Sequence, residues 1–290
     1  MPYLYFVTFV TAKALQGIYF CAINYDMEVT AILGYIGALF IGLVLGLIGG
    51  GGSILTVPIL VYLLALNPVV ATAYSLFVVG SSSLVGAVQN MQKGLVKYKV
   101  AAVFALPAFI AVYITRRYLV PAIPDVLFSF NSITVTKDIG IMVFFAIVMI
   151  LASYAMIKNN KKKKECVDCK MNYPIILIYG LFIGIITGIL GAGGGFLIIP
   201  ALVLLAGLPM KEAVATSLLI IAVNSLIGFL GDVQNLTIDW AFLGIFTGIS
   251  IIGIFLGIWL NKFIDESKLK KIFGWFVLLM GIYIIYKELI

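Results

Sequence analysis

Gly49-Gly50-Gly51-Gly52-Ser53, with Pro58 five residues further on, interrupts one of the long apolar runs of this chain, and Gly191-Ala192-Gly193-Gly194-Gly195, with Pro200, interrupts another. The two copies share one offset of 142 residues, the separation of Gly49 and Gly191, and open the short apolar segments Ile54–Leu66 and Phe196–Leu208. Aligned at that offset without a gap, Ala71, Ala73, Ser75 and Leu76 fall on Ala213, Ala215, Ser217 and Leu218. Ser83, Gly86 and Gln92 fall on Ser225, Gly228 and Gln234. The chain reads as a duplication.

Glycine clusters inside hydrocarbon-length runs need a physical reason. Each Gly weakens a helix interior by about 1 kcal/mol relative to Ala, so three or four together break it. Freed backbone groups at membrane depth are tolerated only where protein or a water-filled cavity surrounds them. Pro58 and Pro200 suit the first turn of a new helix, where a missing N–H costs little. Broken helices that present N-termini inside the bilayer are a device of secondary transporters for holding an anion. The alternative is that the glycines only let two helices pack closely.

The class follows from composition. Of 290 residues, 63% are hydrophobic and 11% charged, and the mean hydropathy is +1.19, well outside the soluble range. The fold class expected is an all-α polytopic membrane protein, with Gly-broken short helices in two five-segment halves arranged as an inverted repeat. That gives about ten transmembrane segments, plus an extra N-terminal helix, spanning or interfacial. The divisions are residues 1–29 (extra helix), 30–157 (first repeat), 158–172 (Lys-rich linker) and 173–290 (second repeat). The net charge of +7 comes from lysines in short loops, which signal topology and not nucleic acid. The chain has no histidine, so a His metal site or a Ser-His-Asp arrangement is excluded. No constellation for an intramembrane enzyme is visible. No metal or other cofactor is expected.

In chain order, the apolar runs are Ala31–Ile48, the segment to Leu66, Val69–Asn90, Val100–Thr115 and Ile139–Ile157, then Tyr173–Leu190, Phe196–Leu208, Ala213–Gly231, Trp240–Leu260 and Ile272–Tyr286. Arg116-Arg117 closes the fourth run at its outer end, a place to gather anions at the mouth or, more commonly, to anchor in the headgroups, and Tyr118–Asp138 is too polar to span. With the linker placed in the cytoplasm, 14 of the 19 basic residues fall on that side: Lys93, Lys97, Lys99, Lys158, Lys161–Lys164, Lys170, Lys211, Lys262, Lys268, Lys270 and Lys271. The positive-inside rule supports that orientation in the inner membrane.

The pattern Gly-x-x-Gly-x-Gly-Gly, then Pro, then Ala-x-Ala-x-Ser, stands here twice. It comprises Gly46, Gly49, Gly51, Gly52, Pro58, Ala71, Ala73 and Ser75, and again Gly188, Gly191, Gly193, Gly194, Pro200, Ala213, Ala215 and Ser217. In this it resembles the TauE/SafE family of membrane permeases, associated with export of sulfite and small organosulfonates, from about Ile32 to Tyr286. The resemblance implies an inverted repeat and a small sulfur oxyanion or carboxylated anion as substrate.

An anion at the midplane loses its hydration, and N–H groups at two half-helix N-termini offset that loss without a full cation. The candidate substrate-binding residues are Gly51, Gly52 and Ser53 with Gly193, Gly194 and Gly195 through their backbone amides, and the side chains of Ser75, Ser217, Thr216, Ser82 and Asn224. For each hydroxyl the competing role is a bond to a carbonyl one turn earlier, or helix–helix glue. Asp232 and Asp239 read as bounding a short turn, and Glu212 as complementing a helix start. No carboxylate stands out as a proton relay, so export driven by membrane potential is expected. A proton-coupled carrier of another carboxylate or oxyanion, or a non-transporting scaffold, is the alternative. The partners expected are the small anion and the bilayer, with a homodimer left open. Cys166-x-x-Cys169 in the linker reads as a reduced pair.

Overall fold

The computed structural model describes residues 32–50, 52–130, 133–158, 173–191, 193–261, 263 and 266–289. The expected N-terminal helix, Gly51 and the linker cysteines Cys166 and Cys169 lie outside the described residues. The described chain is helical apart from one hairpin: α1 Ile32–Ile48, α2 Ser53–Pro58, α3 Pro68–Gln92, α4 Tyr98–Ile114, α5 Val120–Ala122, α6 Lys137–Lys158, α7 Tyr173–Leu190, α8 Gly195–Leu205, α9 Met210–Asp232, α10 Trp240–Leu260 and α11 Glu266–Leu289. Among the described residues, five helical segments are long and apolar enough to cross a membrane, namely Pro68–Gln92, Tyr98–Ala122, Lys137–Tyr154, Lys211–Asp232 and Trp240–Leu260. Their outer faces are greasy, with Leu106, Leu151, Leu230 and Ile252 exposed, as lipid contact requires.

Helix ends follow local chemistry. The Asn67 side chain accepts from Val69 N and Pro68 takes the first helical position, which starts α3; Asp239 accepts from Ala241 N and Phe242 N, which starts α10. α1 and α7 end identically. Gly49 (φ 83°) and Gly191 (φ 66°) adopt the left-handed conformation, and their N–H groups return to Leu45 O and Thr187 O at 2.8 and 2.9 Å. That is the αL cap, which a residue with a β-carbon enters only at a cost.

The prolines do not sit where expected. Pro58 is the last residue of α2 and Pro200 lies inside α8, because both short helices begin at the glycines themselves. Pro58 has no N–H for the carbonyl one turn back, and the backbone widens directly after it into a π turn, Ile59–Leu63.

Contacts repeat between the halves at the same offset of 142 that relates Gly49 to Gly191. Tyr74 Oη accepts from Asp239 N (2.7 Å), and the equivalent Thr216 Oγ1 accepts from the equivalent Lys97 N (3.1 Å). Leu66 N donates to Leu60 O and Leu208 N to Leu202 O, beside left-handed Ala65 and Gly207. Gly86 faces Leu218 and Ile254, while Gly228 faces Leu76 and Val112. The halves interleave: α3 packs on α9 and α10, α4 on α7 and α9, and α6 on α11. Gly42 and Gly46 of α1 lie against α10 at Ser250, Ile254 and Gly257, and Gly184 and Gly188 of α7 lie against Ala108 of α4 and Thr115 just after it. These are small-xxx-small seams, so part of the glycine content does serve close packing.

The ends of the bundle are chemically distinct. At one end Lys97 pairs with Glu212 (3.1 Å). At the other, Asn67 Nδ2 donates to Asp138 Oδ2 and Tyr62 Oη to Glu288 Oε1, both at 2.8 Å. The polar connection after α5 is not plain loop: Val126–Phe130 and Ile133–Thr136 pair as an antiparallel hairpin.

Candidate functional site

The two glycine breaks meet. A β-carbon on Gly50 would overlap the backbone of Gly195, and one on Gly195 would overlap the Cα of Gly50. Main chain therefore touches main chain between the halves, immediately before α2 and beside the first residue of α8. Gly52 (φ −67°) caps α2, and its β-carbon would stand 2.5 Å from Leu45 N and 2.7 Å from Ile41 O. Gly194 caps α8 in the left-handed conformation against the equivalent residues, Thr187 and Ile183. Gly193 (φ 62°) faces Ser225, whose Oγ would be 2.7 Å from an added β-carbon. The backbone groups proposed from sequence, other than those of Gly51, are thus drawn into one buried zone.

The side chains divide. Ser53 Oγ donates to Gly50 O and Ser217 Oγ to Val214 O, both at 2.8 Å, which is the local back-bonding that competes with a ligand role. Thr216 is occupied by Lys97 N, at the Lys97–Glu212 end of the bundle. Ser82 Oγ donates to Ser250 Oγ at 3.0 Å, joining α3 to α10. Among the described residues, Ser75 Oγ and both amide atoms of Asn224 are buried with no hydrogen-bond partner, as are Ser83 and Ser225, a repeat-related pair not singled out as ligands above. Of the proposed side chains, Ser75 and Asn224 keep free hydrogen-bonding capacity.

Arg116 is the residue the sequence reading placed wrongly; Asp232 does bound the turn before α10, as expected, but its burial against Arg116 was not anticipated. The helix does not close at Thr115; it continues through a π turn, Thr115–Leu119, into α5. Arg116 faces inward on that continuation, so its side chain is fully buried and does not reach the headgroups. Nη1 donates to Thr72 Oγ1 at 3.0 Å and lies 3.3 Å from Asp232 Oδ2. Asp232, the last residue of α9, is 3% exposed. A carboxylate is therefore buried within the span, and it is matched by a cation. Arg117 points outward to Gln234 Oε1 and the Tyr113 hydroxyl.

The guanidinium lies on the second break: a β-carbon at Gly191 would collide with Thr72 and stand 2.5 Å from Arg116 Nη2. At the equivalent place on the first break, Gly49 packs on Val214. The offset puts Ile258 and Asn90 where the second break has Arg116 and Asp232, so the two breaks match in backbone and differ in charge.

A family model described as Sulfite exporter TauE/SafE matches residues 34–284. The chain belongs to the TauE/SafE family. Membership makes it a membrane transporter of that family. This TauE/SafE chain is 27% identical over 255 residues to a probable membrane transporter protein of Xylella fastidiosa, spanning 86% of this chain and 92% of the relative. It is 27% identical over 277 residues to the probable membrane transporter protein YunE of Bacillus subtilis, spanning 86% and 95%. A shorter match, 36% over 117 residues, covers 38% of this chain and 43% of a probable membrane transporter protein of Methanocaldococcus jannaschii. No solved structure matches the chain.

Proposed function

We propose that this protein exports a small anion, sulfite or a small organosulfonate, through a site at the junction of the two glycine breaks, driven by the membrane potential. The main support is the contact of Gly50 with Gly195, which brings two half-helix starts from different halves to one place. The first-turn N–H groups of a helix have no intrahelical partner and sit at the positive end of its dipole, a suitable setting for an anion. A scaffold has no need of two such starts facing each other.

The halves are read as inverted repeats in a multi-pass inner-membrane protein. In favour of this, Gly191 packs on Thr72 near the start of α3, Gly49 packs on Val214 near the start of α9, and those starts lie at opposite ends of the bundle. The lysine-rich end is assigned to the cytoplasm, with Lys158–Lys170 on that side and the hairpin outside. Labelling of Cys166 and Cys169 in intact cells checks this. Protection from a membrane-impermeant thiol reagent is expected, and efficient reaction from outside reverses the orientation.

The substrate is tested by flux from proteoliposomes against sulfite, thiosulfate, sulfoacetate, taurine and simple carboxylates. Voltage separates the mechanisms. Arg116 and Asp232 cancel, so a loaded site carries the anion's own charge outward, and an inside-negative potassium-diffusion potential should accelerate efflux. Each 100 mV contributes about 2.3 kcal/mol per charge. Efflux that ignores potential and follows an imposed pH gradient would instead mean that a proton travels with the anion, and Asp232 would be its carrier.

A further inference from the structure

Among the described residues, one corner of the Arg116 guanidinium is engaged. Nη1 serves Thr72 and faces Asp232, whereas Nε and Nη2 are buried without an acceptor among the described residues. The Nε–Nη2 edge presents two parallel N–H groups, the geometry that grips two oxygens of a carboxylate, sulfonate or related oxyanion together. A bidentate ion pair would turn two parallel N–H groups to the carboxylate. Here Asp232 lies at Nη1, its Oδ2 makes no aligned hydrogen bond, and the bidentate edge stays unused. That edge rests on the break that opens α8, which it reaches because Gly191 has no side chain.

We propose that Arg116 is the cationic ligand of the transported anion and that Asp232 is its resident counterion. The oxyanion takes the Nε–Nη2 edge at Gly191 while Asp232 stays at Nη1. This rests on the anion-transport reading and names the charged residue of that site. Because the equivalent positions are Ile258 and Asn90, it also assigns one charged anion site per chain, at the second break only.

The test measures binding of sulfite and of sulfoacetate to the purified full chain, by equilibrium binding and by thermal stabilisation. It compares the wild type with Asp232→Asn, Arg116→Lys and the double variant Arg116→Gln/Asp232→Asn, in which both charges go together and neither is stranded. The double variant should keep its helical circular dichroism and lose affinity by about tenfold or more, the loss expected for two charge-assisted hydrogen bonds. Asp232→Asn, which removes a negative charge beside the anion, should bind more tightly. Arg116→Lys keeps the charge and the pair but not the parallel donors, so it should bind more weakly; it carries the test if the double variant does not fold. Wild-type affinity in the folded double variant, or unchanged affinity in Arg116→Lys, overturns the assignment and leaves the transport reading standing. A wild type that neither binds nor transports any anion of the panel overturns both.

Discussion

Gly194→Val is expected to abolish transport, and Gly194→Ala to impair it in a way that a second substitution can partly repair. Gly194 holds φ at 71°, and a β-carbon there would overlap Thr187 Cγ2. The left-handed conformation costs a non-glycine residue about 1–2 kcal/mol. Overpacking against Thr187 adds roughly 1–3 kcal/mol. Thr187→Ser removes the offending methyl while keeping the hydroxyl that donates to Gly184 O, so Gly194→Ala/Thr187→Ser should recover the packing part of the loss. Gly52 provides the contrast. Its φ of −67° suits any residue, but its β-carbon would meet the backbone at Leu45 N and Ile41 O. No side-chain trimming creates that space, so Gly52→Ala should stay inactive in every such background. Yield and circular dichroism are measured alongside flux. A Gly194→Val protein that folds and transports normally would remove the glycine break from the mechanism.

Arg116→Leu is expected to lower stability severely, and Arg116→Leu/Asp232→Leu to restore most of it. Removing one partner of a buried pair strands the other charge, at a cost of about 3–5 kcal/mol, whereas replacing both by apolar groups is often neutral. A headgroup anchor would behave differently, since surface substitutions usually fall within about 0.5 kcal/mol. Unfolding of the purified variants decides between the two. A single variant as stable as wild type would mean that Arg116 is not buried against Asp232.

Much of the fold is legible in the chain because it depends on neighbours in sequence. Trp240–Leu260 emerges with the ends read from hydropathy, its start capped by Asp239, and the run to Leu190 stops where read, at the Gly191 break. Gly49 and Gly191 end helices by the same left-handed turn, and the single offset of the duplication reappears in pairs such as Tyr74–Asp239 and Thr216–Lys97. The hairpin carried a local signal too: Val126–Phe130 and Ile133–Thr136 are rich in β-branched and aromatic residues on either side of the polar pair Asn131-Ser132. Reading that stretch for polarity alone hid it.

The placement of charge was decided elsewhere. Arg116-Arg117 after an apolar run reads as an interfacial stop, but the helix continues through the π turn at Thr115–Leu119 and packs there, so Arg116 faces inward and its neighbour outward. Asp232 reads as a turn residue until α9, packed on α4, brings it to Arg116. Ser53 and Ser217 spend their hydroxyls on local carbonyls while Ser75 does not, a difference that nothing in the alternation of residue types encodes. By itself the sequence determined where the backbone breaks and that it breaks twice, because caps, glycines and prolines act over a turn or less. Which side chains stand unpartnered beside the breaks was decided by the packing of distant helices, because burial is a property of all the elements that meet at a point.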